Sequence, residues 1–181
     1  RLVNWRTEGI DLAVRFGSGD YPGGVCEMLM RDESFPVCSR AYLAANPELK
    51  EPADVAGHQL LHDATTFMDH PHAADWEFWL KGVGAEGVDV SRGLRFNSGD
   101  MVIQAALMGQ GIAMARTSLA ALDLAAGNLV RPFPQSVASS GAYYLVYPEE
   151  HLRRPRVKAF VNWLKNEVAE TLREIDSTDA D

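Results

Sequence analysis

The stretch Gly93-Leu94-Arg95-Phe96-Asn97-Ser98-Gly99-Asp100-Met101-Val102-Ile103-Gln104-Ala105-Ala106-Leu107-Met108-Gly109-Gln110-Gly111-Ile112-Ala113-Met114-Ala115 decides the fold. Its first four residues are a short apolar run, and Asn97-Ser98 supplies the side-chain oxygen that a helix start needs. The next ten residues are apolar on nearly every face, which predicts a buried helix. Gly109 ends it, and Gly111 to Ala115 reads as the following strand. A strand, a buried helix and a strand packed this closely form the repeating unit of an α/β sheet.

The same alternation extends in both directions. Upstream, Asp11–Phe16 reads as a buried strand after a helix that closes at Gly9, and the glycine-rich run from Gly17 to Gly24 is a loop. Val25–Met30 and Ser34–Cys38 read as two further strands. Ser39 caps a helix through Ala45, Pro52 opens a short helix closing at Gly57, and Gln59–His62 is another strand. A polar loop from Asp63 to Ala74 follows, and Asp75 caps the helix of Trp76 and Trp79, whose i, i+3 spacing favours the core over a stacking platform. Downstream, Thr117-Ser118 caps a helix ending at Gly127, Leu129–Phe133 is extended, and Ala142–Tyr147 is a strand. Val157, Phe160, Val161, Leu164, Val168, Leu172 and Ile175 then mark one face of a terminal amphipathic helix. The pattern predicts an α/β chain with mostly parallel strand pairing.

Composition excludes other classes. With 181 residues, 46% of them hydrophobic, the chain is large enough to bury roughly 70% of its unfolded surface. No apolar run approaches the ~18 residues of a spanning helix. The net charge of −8 repels a phosphate backbone, so the chain is expected to bind neither DNA nor an anionic membrane by itself. Cys26 and Cys38 fit no metal or redox spacing; buried thiols are the expectation, and with them a reducing compartment. The opening at Arg1 shows no charged or apolar leader, so no signal peptide is expected. Asp176 to Asp181 reads as a frayed acidic tail.

Catalytic signatures are sparse. The glycines at 17, 19 and 23 have the wrong spacing for a dinucleotide loop, and there is no phosphate-binding loop or nucleophile elbow. His62, His70 and His72 share a loop with Asp63 and Asp69, but no frame at ligand spacing holds them, so neither a metal nor a cofactor is expected. The start of the 99–108 helix is more informative. Free backbone N–H groups and a partial positive charge suit a carboxylate or phosphate there, and Gly99 allows close approach. Asp100 would repel an anion and could meet an amine instead. A plain capped helix is the simpler alternative. Tyr143 and Tyr144 must point to opposite faces of their strand. Arg153, Arg154 and Arg156 read as a solvated approach to the last helix.

These residues carry a resemblance. IDLAVRFGSGDYPG (10–23), FPVCS (35–39), EPADVAGHQLLHD (51–63), DWEFWL (75–80), the 93–115 stretch, LAAGNLVRPFP (124–134) and AYYLVYPE (142–149) together resemble the effector-binding domain of LysR-type transcriptional regulators. They are most similar to the branch of the glycine-cleavage activator and the β-lactamase-inducing regulator. The resemblance implies a two-lobed fold like type 2 periplasmic binding proteins, with two crossover strands and a small-molecule effector in the cleft. Residues 36–133 would form one lobe, and 1–35 with 134–181 the other. It implies effector contacts at Ser98 and Gly99, at Phe16 and Gly17, at His62, Asp63 and Thr65, and at Tyr143, to which the reading of the helix start adds Asp100. It implies a cytoplasmic, non-catalytic, self-associating module that reaches DNA only through an N-terminal winged helix-turn-helix. That helix-turn-helix and the family's first strand–helix–strand would precede Arg1, so the first lobe is expected to be incomplete. The alternatives are a solute-binding protein of the same fold and an α/β hydrolase using Ser98, Asp100 and a loop histidine.

Overall fold

The structure is a computed structural model that describes Trp5 and residues 8–64, 76–85 and 87–178, the side chains of residue 140 and residues 174–178 excepted. Thr65, His70, His72 and the cap at Asp75 lie outside the described residues, as does most of the helix expected before Gly9. Gly9 itself has φ 63°, the left-handed conformation that suits a residue just past a helix end.

Seven strands form one connected sheet: β1 (Ala13–Gly17), β2 (Val25–Ser39), β3 (Leu60–Asp63), β4 (Leu94–Phe96), β5 (Ile112–Arg116), β6 (Leu129–Val130) and β7 (Val137–Tyr147). Their order is β1-β7-β2-β5-β3-β4, with β6 pairing β2. Among the described residues five α-helices accompany them: α1 (Arg40–Ala45), α2 (Trp76–Gly82), α3 (Gly99–Leu107), α4 (Thr117–Ala125) and α5 (Pro155–Thr178). Among the described residues no helix is long and apolar enough to cross a membrane.

The expectation of mostly parallel pairing is corrected. Only β3–β4 and β3–β5 are parallel; β1–β7, β2–β7, β2–β5 and β2–β6 are antiparallel. The reason lies in the long strands. β2 and β7 pair with each other and carry the chain between the β1 edge and the β5-β3-β4 group, and a returning strand meets its outgoing partner head to tail. The two strands expected at 25–30 and 34–38 are likewise one strand of 15 residues. Arg31-Asp32-Glu33 breaks the apolar pattern without breaking the strand. Its polarity is absorbed by register shifts between Met28 and Met30 and between Arg31 and Glu33.

Two apolar cores lie on opposite faces of the β2-β5-β3 region. Side chains alternate along a strand, so Val37, Leu61 and Ala113 pack against α3 and α4, while Cys38, Leu60 and Ile112 pack against α2. Trp76 and Trp79 are fully buried in the second core as expected, Trp79 stacking on Phe133 at 5.9 Å. A smaller third core gathers Leu145, Tyr147, Val157 and Val161 under α5. Both cysteines are free thiols. Cys38 is buried, and burial pushes it up to about 11; Cys26 is only half-buried. Arg154 and Arg156 are not merely solvated, since both pair with Asp11.

Candidate functional site

Parallel strands end on the same side of a sheet. The carboxyl ends of β3, β4 and β5 therefore bring together Asp63, the Phe96–Ser98 corner and Arg116. Ser98 is the N-cap of α3 in extended conformation (φ −158°), yet its side chain makes no capping hydrogen bond. Its carbonyl accepts from the Val102 amide at 3.3 Å. Helix geometry thus leaves the hydroxyl uncommitted to the cap, and leaves the first amides of α3 without intrahelical partners.

Gly99 marks how tight this corner is. A β-carbon there would stand 3.2 Å from Asp63 Oδ2, 2.9 Å from Leu119 Cδ1 and 4.0 Å from Arg116 Nη2. An acid and a guanidinium therefore flank the helix start. Arg116 lies over the Phe16 ring, 5.5 Å from its centroid, and Phe16 meets Tyr143 at 5.1 Å. The register pairs Phe16 with Tyr143 across β1 and β7, which places both on one face of the sheet. Tyr144, on the other face, packs against Tyr21.

The sequence did not point to three further members. Asp32, in the polar stretch of β2, is 1% exposed. Its carboxylate accepts from the Ser118 amide at 3.2 Å and the Ser118 hydroxyl at 2.9 Å. Burial pushes the Asp32 carboxyl up, opposed by those two hydrogen bonds and by Arg116. Asp32 also corrects the expectation that Thr117-Ser118 caps α4. The N-cap residue is Arg116 without a side-chain capping bond, and Asp32 supplies the missing acceptor from another strand. The Ser118 hydroxyl lies 3.3 Å from the Tyr143 hydroxyl. Tyr143 and Ser118 also border a largely apolar cavity of about 460 Å³, whose other walls come from β1, β2, α4 and α5 and not from the Ser98–Arg116 corner.

Of the residues expected at the site, Ser98, Gly99, Asp63, Phe16 and Tyr143 thus converge, joined by Arg116. Asp100 is exposed on the first turn of α3. Gly17 ends β1, where a β-carbon would collide with the Tyr21 hydroxyl that donates to the Phe16 carbonyl. His62 stands apart. It is buried on the opposite face of β3 from Asp63, and its ring Nε2 bonds the Arg92 carbonyl at 3.0 Å. That bond makes His62 a fastener for the turn into β4 and no partner for Ser98.

A crossed α/β sheet with this convergence at its strand ends is the class of an effector-binding domain. The effector domain of the transcriptional regulator AmpR of Pseudomonas aeruginosa superposes with a TM-score of 0.69 at 27% identity, over 94% of this chain and 78% of that one. The AmpR effector-binding domain of Citrobacter freundii has the same fold, with a TM-score of 0.66 at 21% identity over 93% of this chain and 79% of that one.

The family is then direct: residues 1–169 match the LysR substrate binding domain, and the chain belongs to that family. It is 35% identical to the glycine cleavage system transcriptional activator of Escherichia coli K12 over 87% of this chain and 49% of that protein. It is 32% identical to the transcriptional activator AmpR of Providencia stuartii over 92% of this chain and 53% of that protein. The chain spans about half the length of the curated relatives it matches. That membership supports an effector-binding domain over the solute-binding alternative.

Proposed function

We propose that this chain is the effector-sensing part of a transcription regulator, binding a small molecule where Phe16, Tyr143, Asp63, Arg116 and Ser98 converge. The lobes are residues 36–133 and residues 1–35 with 134–181, β2 and β7 crossing between them. The ligand shifts the balance between arrangements of the lobes, as it must bind one arrangement better than the other to regulate anything. The regulator acts in the cytoplasm as a dimer or larger assembly, takes no cofactor or metal, performs no catalysis, and reaches DNA through an N-terminal domain outside these residues.

The observation that carries this reading is the juxtaposition of an acid, a guanidinium, a spare hydroxyl and two aromatic rings at the ends of strands from both sides of the crossover. A site so mixed suits a compact polar ligand. The glycine cleavage activator and AmpR are similar in sequence, which supports a regulator's ligand over a nutrient. The test is a thermal-shift and calorimetric screen of amino acids, nucleobases and cell-wall muropeptides against this chain. A hit should lose roughly 1–3 kcal/mol of affinity in Ser98→Ala if the hydroxyl meets a buried ligand group. A hit unchanged in both Ser98→Ala and Tyr143→Phe would place its site elsewhere and sink the assignment. Turnover of any ligand that is abolished by Ser98→Ala with the fold intact would restore the hydrolase alternative.

A further inference from the structure

With Asp32 ionised, the hydrogen bonds around it have only one consistent direction. An ionised carboxylate accepts and cannot donate, so the Ser118 hydroxyl proton must point at Asp32. A serine hydroxyl has one proton, and Ser118 therefore has none left for Tyr143. With the serine proton on Asp32, a hydrogen bond across the 3.3 Å between the two hydroxyls has to be donated by Tyr143 to Ser118 Oγ. The relay runs from Tyr143 to Ser118 to Asp32, and it spends the one proton of the phenol. Tyr143 has only lone pairs to offer anything else.

We propose that Asp32 is a specificity-determining positioning residue: acting through Ser118, it makes the Tyr143 hydroxyl an acceptor, so that the site selects a ligand carrying an N–H or O–H donor at that point. The proposal rests on Tyr143 being a ligand contact. The relay joins three separate elements. Asp32 is in β2, Ser118 in the first turn of α4, and Tyr143 in β7. Asp32 touches no ligand, being 1% exposed, whereas Tyr143 is half-buried and borders open space.

The same logic predicts an inversion. In Asp32→Asn the amide oxygen can still accept from the Ser118 backbone N–H, but the amide nitrogen now donates to Ser118 Oγ. The serine proton turns to Tyr143, the phenol proton is released, and Tyr143 presents a donor. Size and shape barely change, so a merely structural role for Asp32 does not produce this reversal.

Two measurements test it. The first is NMR of the chain with tyrosine labelled at ¹³Cζ, the Tyr143 resonance being assigned by its loss in Tyr143→Phe among the five tyrosines. A phenol that donates has its ¹³Cζ resonance downfield of one that accepts, so Asp32→Asn should move the resonance upfield. Ser118→Ala, which removes the relay without touching the strand, should also move it. A resonance unmoved in both variants overturns the proposal. The second is saturation-transfer NMR with neutral matched probes, phenol against anisole and benzamide against N,N-dimethylbenzamide. Wild type should favour the donor of each pair by up to about tenfold, and Asp32→Asn should abolish that preference, since every probe can accept. An undiminished preference in Asp32→Asn overturns the selectivity. If the tyrosine resonance moves but no probe's binding depends on Tyr143, the reading of Tyr143 as a ligand contact fails while the relay stands.

Discussion

The region around β3, β4 and β5 and the region around β1 and α5 are parts of one sheet built to different depths. The first has apolar cores on both faces, with two buried tryptophans and Phe133 on one side and α3 with α4 on the other. The second has a small core of four buried residues beneath a single helix. It compensates with charge: Asp11 holds Arg154 and Arg156, and Glu27 bonds both Lys165 of α5 and the hydroxyl of Tyr147. The contrast teaches where stability and responsiveness reside. One region is fixed by packing, while the other is fixed by ionic and polar ties that conditions can loosen.

The contrast breaks most visibly at Trp79. Trp79→Ala removes a fully buried ring that stacks on Phe133 and meets Trp76 edge-on at 6.2 Å. It should cost about 3–5 kcal/mol and abolish cooperative melting measured by calorimetry. Leu145→Ala empties the centre of the smaller core and should cost about 2–3 kcal/mol. Its hydrogen-exchange signature should sharpen the comparison, with amides of α5 losing protection while those of α3 keep it. Equal loss in both helices would mean that the two regions unfold as one.

Acidity should act on the same side of the molecule. Hydrogen bonds from Lys165 and then Tyr147 hold the Glu27 carboxyl below its ordinary 4.5. Its contribution is therefore present above that value and lost as pH falls through the lowered one. Tyr147 is pushed up to about 12 by burial and by Glu27, so its contribution is full below about 10 and lost as pH rises through about 12. Urea unfolding against pH should show both limbs, and Glu27→Gln should flatten the acid one. The smallest effect belongs to Ser98→Ala. Because its side chain makes no capping bond, stability should change by less than about 0.5 kcal/mol, below the ~1 kcal/mol usual for a cap. A larger loss in thermal melting would show the hydroxyl to be structural.

Much of this was legible. The strand–helix–strand of 93–116, the Ser39 cap of α1, the buried tryptophans and the terminal helix follow from local pattern, since caps and periodicity act over a few residues. The strand pairing was not, because direction depends on where a returning strand comes to lie. Arg31-Asp32-Glu33 looked like a break because Asp32, its buried member, meets its partner Ser118 86 positions away. The site divided likewise. Ser98 and Gly99 announce themselves as a cap beside a glycine, and Phe16 and Tyr143 came from the family resemblance. Arg116 and Asp32 acquire meaning only from neighbours in space. His62, expected from the same resemblance, bonds the Arg92 carbonyl, a contact that local pattern did not announce.

The long pairing of β2 with β7 has a mechanical consequence. A loop between two bodies lets them swing freely, whereas two strands bonded side by side behave as a torsion bar. Any rotation of one end against the other must be stored as added twist in that ribbon, spread over many small backbone adjustments and resisted in proportion to angle. Motion of that kind is reversible and graded, returns when the load is removed, and needs no peptide bond to isomerise or segment to melt. The register shifts between Met28 and Met30 and between Arg31 and Glu33 are where such a ribbon is softest.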